Sequence, residues 1–178
     1  MRTEEKDLKG ARRLAFVLAL LATSGAAQTA DEKRAAGVPE RGDHVMGFGH
    51  EKTAHHFILT PSGGRIEAEV KDPGDGETRE QIRMHFTHIA GKFSEGDFDA
   101  PMLIHAKLPP GVPVLKRLKG AIRYAFEPTE RGGRIVITTK NREALGAVHR
   151  FLRFQIEDHR TGDSLKIERP ASSSKPAA

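Results

Sequence analysis

The 178-residue chain has no cysteine, no tryptophan and a single tyrosine. Without cysteine it can form no disulfide, no thiolate metal centre and no thiol nucleophile. An apolar core must hold the fold, and about 150 residues are enough to bury one. No hydrophobic run approaches the ~20 residues that a membrane-spanning helix needs. Blocks of one charge sign are missing too: the formal net charge is +5, spread along the chain. A basic balance without a basic run, and with few aromatics, carries no signature of nucleic-acid binding. The motifs His-Glu-x-x-His and Gly-x-Ser-x-Gly are absent, and no serine sits in a strand-to-helix elbow. Gly63-Gly64 and Gly132-Gly133 join strand to strand, whereas a phosphate cradle needs a strand-to-helix turn.

What is present begins with a targeting segment. A basic stretch at residues 9–13 precedes an apolar run over 14–22 and then Thr23-Ser24-Gly25-Ala26-Ala27. A basic region, a short apolar region and small residues are the parts of a secretory signal peptide. Residues 1–27 are therefore expected to be removed, leaving no membrane span and a periplasmic or secreted protein. They hold five basic and three acidic side chains, so the remainder keeps a net +3 of the total +5.

The mature chain divides into a polar flexible leader at 28–43, one α+β domain over 44–168, and a disordered tail at 169–178 of the composition Pro-Ala-Ser-Ser-Ser-Lys-Pro. Within the domain a phrase recurs. Gly63-Gly64-Arg65-Ile66 returns as Gly132-Gly133-Arg134-Ile135, 69 residues later. Each copy sits between two alternating apolar runs, and each is followed by a helical stretch ending near Gly-Asp, at Gly96-Asp97 and Gly162-Asp163. In Arg65-Ile66-Glu67-Ala68-Glu69-Val70 the apolar residues share one face, as in a half-buried strand. The pattern predicts hairpins at about 55–70 and 122–139, with the glycines supplying positive φ in the turns. Ile82, Phe86, Ile89 and Phe93 mark the first helix, and Leu145, Val148, Leu152 and Ile156 the second, with Asn141 as its N-cap. The units are joined by residues 97–120, with a short extended piece at 100–105 and a short helix begun by Pro113. The fold expected is a duplicated strand–strand–helix unit, an antiparallel sheet with two main helices on one face. Phe151 and Phe154 sit off the main stripe of the second helix, so either the linker or a partner, such as a second copy in a homodimer, covers them.

The chemistry-bearing residues are nine histidines and, beyond residue 27, three methionines that all stand near them. The groupings are His44-x-Met46-x₃-His50, His55-His56, Met84-His85-x₂-His88 and Met102-x₂-His105; His149 and His159 stand alone. Imidazole suits copper and zinc, and thioether sulfur selects monovalent copper. His55 or His56 on the first strand, His85 or His88 on the first helix, and Met102 with His105 on the linker form the candidate ligand set. His55 and His56 point to opposite faces of a strand, so one of them belongs to a given site. His149 and His159, on or beside an apolar stripe, read as hydrogen-bonded core residues.

Met46-Gly47-Phe48, Thr53-Ala54-His55-His56-Phe57, Gln81-Ile82-Arg83-Met84-His85, Phe98-Asp99-Ala100-Pro101-Met102, the stretch Phe151-Leu152-Arg153-Phe154-Gln155-Ile156 and Thr161-Gly162-Asp163 together carry a resemblance. Over about residues 45–165 the chain resembles a family of small exported bacterial proteins without an established function. The resemblance implies one folding unit over that range and no mechanism.

The functional expectation is an exported binding protein for a transition metal such as copper or zinc, and not an enzyme. The alternatives are a protein-interaction or homodimerisation module using Phe151 and Phe154, and a His-dependent acid–base enzyme with Asp97, Asp99 or Asp158 as partner. Mass spectrometry of the exported protein should find an N-terminus at Ala27 or Gln28, and an intact Met1 on membrane-bound protein would overturn the signal-peptide reading.

Overall fold

The computed structural model describes residues 30–168. The signal peptide read at 1–27 and the tail at 169–178 lie outside the described residues. Residues 30–36 are helical and belong to a unit that ends at Gly37. The unit that begins at Val38 is the α+β fold. Its elements are α1 (Val38–Met46), β1 (Thr53–Thr60), β2 (Gly63–Val70), α2 (Gly76–Glu95), α3 (Asp99–His105), α4 (Val112–Arg117), β3 (Ile122–Thr129), β4 (Gly132–Thr139) and α5 (Arg142–His159). No helix among the described residues is long and apolar enough to cross a membrane.

The four strands form one antiparallel sheet in the order β1-β2-β4-β3. Each hairpin turns through two residues, Pro61-Ser62 in the first and Glu130-Arg131 in the second, with Thr60 opposite Gly63 and Thr129 opposite Gly132. Where β2 meets β4, Ile66 stands opposite Ile135, Gly63 opposite Thr138, and Gly132 opposite Glu69. Shifting either member of such a pair by the 69-residue repeat returns a pair of the same ladder. The duplication is thus an approximate twofold axis passing between Ile66 and Ile135.

The glycine pairs do not make the turns, as the sequence pattern suggests; they are the first residues of β2 and β4. Their absent side chains are required by close approach. A Cβ on Gly132 would run into the carbonyl oxygen of Ala68, and one on Gly63, at φ +154°, into that of Ile137. A Cβ on Gly133 would lie 2.6 Å from the ring of Phe126.

Both long helices cover the same face, and each covers the other's hairpin. α2, which follows the first hairpin, packs chiefly over β3 and β4, while α5 packs over β1 and β2. Asp75 caps α2 by accepting from the Thr78 amide at 3.0 Å, and Gly96 closes it in the left-handed conformation. Asn141 caps α5 by accepting from the Glu143 and Ala144 amides, both at 3.0 Å. Ile82, Phe86, Ile89 and Phe93 of α2 and Ala144, Val148, Leu152 and Ile156 of α5 are buried against Ile66, Ala68, Ile135 and Ile137. Each large side chain so buried contributes about 1.5–3 kcal/mol.

The connections differ from expectation in two places. Residues 99–105 are helix rather than extended chain: Asp99 favours the start and buried Pro101, Ile104 and His105 supply an apolar side. The segment read as leader to residue 43 runs into α1, which is anchored by fully buried Val38 and by Arg41 Nε donating to the Ile104 carbonyl at 2.7 Å. Phe151 is inside the core, edge-on to Phe93 and Phe98, and Phe154 lies under the ring of His105 at 4.8 Å and under Lys107. Cover for both phenylalanines therefore comes from the chain itself. Past α5, Asp163 accepts from the Phe57 amide and pairs with His56 Nδ1, both at 2.9 Å, and Glu168 N donates to the Leu59 carbonyl at 2.8 Å. The C-terminal segment thereby occupies part of the free edge of β1, an edge that would otherwise template pairing with another chain.

Gly63→Ala and Gly132→Ala, singly, should each lower stability by about 1–3 kcal/mol, the usual cost of forcing atoms into a packed site. Urea unfolding measures this, and parent-like midpoints for both would show that the close approach of β2 and β4 imposes no constraint.

Candidate functional site

One end of the sheet's covered face holds a cluster of imidazoles. β1 presents His55 inward, since its alternation turns His56 to the other face, and α2 brings His85 on the border of its apolar stripe. α5 delivers His159 from its last turn, and α3 delivers His105. The rings form a continuous run. His105 meets His159 edge-on at 4.9 Å, His159 stacks on His55 at 6.3 Å, His55 stacks on Phe48 at 6.1 Å, and Phe48 meets His85 edge-on at 5.7 Å. Phe48 is placed by the turn after α1, where Asp43 accepts from the His50 amide at 2.7 Å and pairs with His50 Nδ1 at 2.8 Å.

His55, His85 and His159 line a cavity of about 70 Å³ together with Met46 and Gln155; its other walls are apolar, among them Phe57, Phe86, Ile104 and Phe151. That volume exceeds the 10–15 Å³ or so that one water needs. The buried Nε2 of His55 has no hydrogen-bond partner. Buried polar atoms without partners are rare and costly.

Burial sets the charge state of these rings. Desolvation, with the neighbouring His85 and His56 adding to it and Asp43 opposing it, pulls His55 from the ordinary 6.5 to about 4. Desolvation followed by the His88 charge brings His85 to about 4. Desolvation, then His105 and His55, takes His159 to about 3, against the pull of Asp158. At neutral pH all three are uncharged imidazoles, each with a nitrogen lone pair. His105 is different, being fully buried with Nδ1 2.6 Å from Asp158 Oδ2 and Nε2 2.8 Å from Gln155 Oε1. Both of its ring nitrogens are engaged, so it braces the cluster rather than offering a ligand.

The six residues read from the sequence are thus separated. His55 and His85 come to the cavity, whereas His56 is on the opposite face against Asp163. His88 is exposed in a groove beside the cavity. His105 is sealed between Asp158 and Gln155, and Met102 lines neither the cavity nor the groove. Among the described residues, no group of three His, Asp or Glu side chains could hold a metal ion. Sequence reasoning missed Met46, Phe48, Gln155 and above all His159, which was assigned to a hydrogen-bonded core. His149 does fill that role, its Nε2 2.9 Å from the Thr60 carbonyl.

A signal for His159 was available in the repeat. Strand residues correspond at a spacing of 69 and helix residues, aligned on the Gly-Asp pairs, at a spacing of 66. By that correspondence His55 matches Tyr124, His85 matches Phe151 and His159 matches Phe93. Those three partners form an aromatic knot, in which Phe93 meets Tyr124 at 5.6 Å and Phe151 at 6.1 Å, with Phe98 stacked on Phe93 at 4.5 Å; through Phe93 and Phe151 the knot borders the same cavity. Each set draws on both repeats: one carries aromatic carbon, and the other places nitrogen at the three equivalent positions. No protein-family model, curated protein or solved structure matches the chain.

The depressed pKa values fix how stability responds to acid. The folded state holds the neutral rings, and the unfolded chain binds protons near pH 6.5, so this contribution is fully present above 6.5 and declines as pH falls towards 4. For each ring the slope reaches about 1.4 kcal/mol per pH unit within that window. In metal-free buffer, urea midpoints should drop steeply from pH 6.5 to 4.5, and His159→Phe should flatten the drop. An equal slope in parent and variant would show that burial does not hold His159 neutral.

Proposed function

We propose that the protein is an exported binding protein for monovalent copper, held in the cavity by His55 and His85 with Met46 as a thioether ligand. The observation that carries this reading is that three positions whose repeat equivalents hold a packed aromatic knot carry imidazoles on the wall of an unfilled space, one of them with a buried, unbonded nitrogen. Replacing carbon by unpaired nitrogen costs stability, and binding offers a compensating gain. Two imidazoles and a thioether make a soft, low-coordinate donor set, which suits monovalent copper; zinc prefers four nitrogen, oxygen or thiolate ligands. The absence of any three-member His/Asp/Glu group among the described residues weighs against zinc in the same way. The N-terminal targeting pattern fits a compartment outside the cytoplasm, as does the resemblance to small exported bacterial proteins.

Competition against a chromogenic copper(I) chelator under reducing conditions tests the reading. The parent should bind one equivalent. His55→Phe, His85→Leu and Met46→Leu, which keep the volume and remove the donor atom, should each weaken binding by at least about tenfold, since even outer-shell partners of a metal are worth 10–100-fold. Binding unchanged in all three variants, or none by the parent, would remove copper from this cavity.

A further inference from the structure

His85, Ile89 and Ala100 line both the cavity and an adjoining surface groove of about 240 Å³, whose other walls include His88, Lys92, Asp97, Asp99 and Leu103. Of these three, His85 alone carries a donor atom that the interior and the surface share. Two further soft donors stand beside it on α2. Met84, outside the groove lining, is 67% exposed, an unusual position for a large apolar side chain, and His88 is exposed in the groove one helical turn further on. At i and i+4 their Cβ atoms lie about 5–6 Å apart on one flank, close enough for a thioether and an imidazole to share one ion. The same i,i+4 spacing on a helix face is what lets paired histidines chelate a metal. The groove also favours cations. Of its two carboxylates Asp97 is paired with Lys92 at 3.1 Å, and the charge of Asp99 leaves the rim net negative.

We propose that Met84 and His88 form a landing site for monovalent copper, from which the ion passes by ligand exchange through His85 to the cavity. The transfer is a sequence of substitutions at one ion. The His85 nitrogen binds as the Met84 sulfur or His88 nitrogen leaves, and His55 and Met46 then complete the inner set; no electron or proton need move. The inner half of this route rests on the copper reading of the cavity, while the outer pair is a distinct site with its own donors. It also accounts for why Met84 is left in water: buried, its thioether could not meet an ion arriving from solution or from a donor's chelate.

Two measurements separate the route from the cavity. In stopped-flow transfer of copper(I) from a coloured chelate, Met84→Leu/His88→Gln should slow loading at least about tenfold, within the range by which surface groups alter association rates, and leave the final affinity within about twofold of the parent. A parent-like rate, or an affinity that falls as far as the rate, overturns the landing role. The second is ¹³C-methyl NMR of the methionines during silver(I) titration of a His55→Phe/His85→Leu protein. There the Met84 methyl should still shift, in fast exchange, because the outer pair is intact. No shift at Met84 defeats the landing site whatever the cavity does. A Met84 shift together with a parent that retains no copper in chelator competition defeats the cavity reading alone.

Discussion

Each long helix finds its apolar partner on the other repeat's hairpin, and the rest of the molecule follows from that exchange. A two-stranded hairpin with one helix is too small to bury its own stripe, and an isolated hairpin is marginal in water. By laying α2 over β3 and β4 and α5 over β1 and β2, the chain makes neither repeat complete without the other. The glycine pairs belong to the same constraint. They let β2 and β4 approach at both ends of their ladder, and that ladder is the seam on which the helices cross over.

The exchange also explains how residues distant in sequence reach one cavity. His55 lies on the first hairpin, His85 on the helix after it, and His159 on the helix that follows the second hairpin but returns to cover the first. Met46 comes from the short helix that precedes the sheet. The cluster can form only when the tertiary fold is complete, and burial then strips its rings of charge. His105 joins it through contacts with Asp158 and Gln155 on α5, which ties the linker helix to the same cluster.

The duplication, the strand faces, the first helix stripe, the second apart from half-buried Leu145, whose place Ala144 takes, and the Asn141 cap were legible in the sequence because each rests on local period or on a repeated phrase. The turn role given to the glycines was not, since only the neighbouring strand shows why a Cβ is excluded there. Residues 99–105 were misjudged because a seven-residue helix has too few turns to display a period, and its cover on Phe154 comes from tertiary contact. The candidate site was half legible. His55 and His85 stood out by residue type, but spacing along the chain says nothing about His159, 104 residues beyond His55. What would have found it was alignment of the two repeats by chemistry as well as by hydrophobicity, where three imidazoles fall against Tyr124, Phe151 and Phe93.

The approximate twofold through Ile66 and Ile135 has a consequence for how such a molecule changes over time. A symmetric ancestor would carry the same side chains at both sets of positions, so any polar group admitted for chemistry would weaken the fold twice. Joining the repeats in one chain frees the two sets from each other. The Phe93, Phe98, Tyr124 and Phe151 set can be kept for cohesion, while drift at the His55, His85 and His159 positions is tolerated against that reserve. The duplication thus permits a division of labour: one set of equivalent positions anchors the fold while the other is left imperfectly packed.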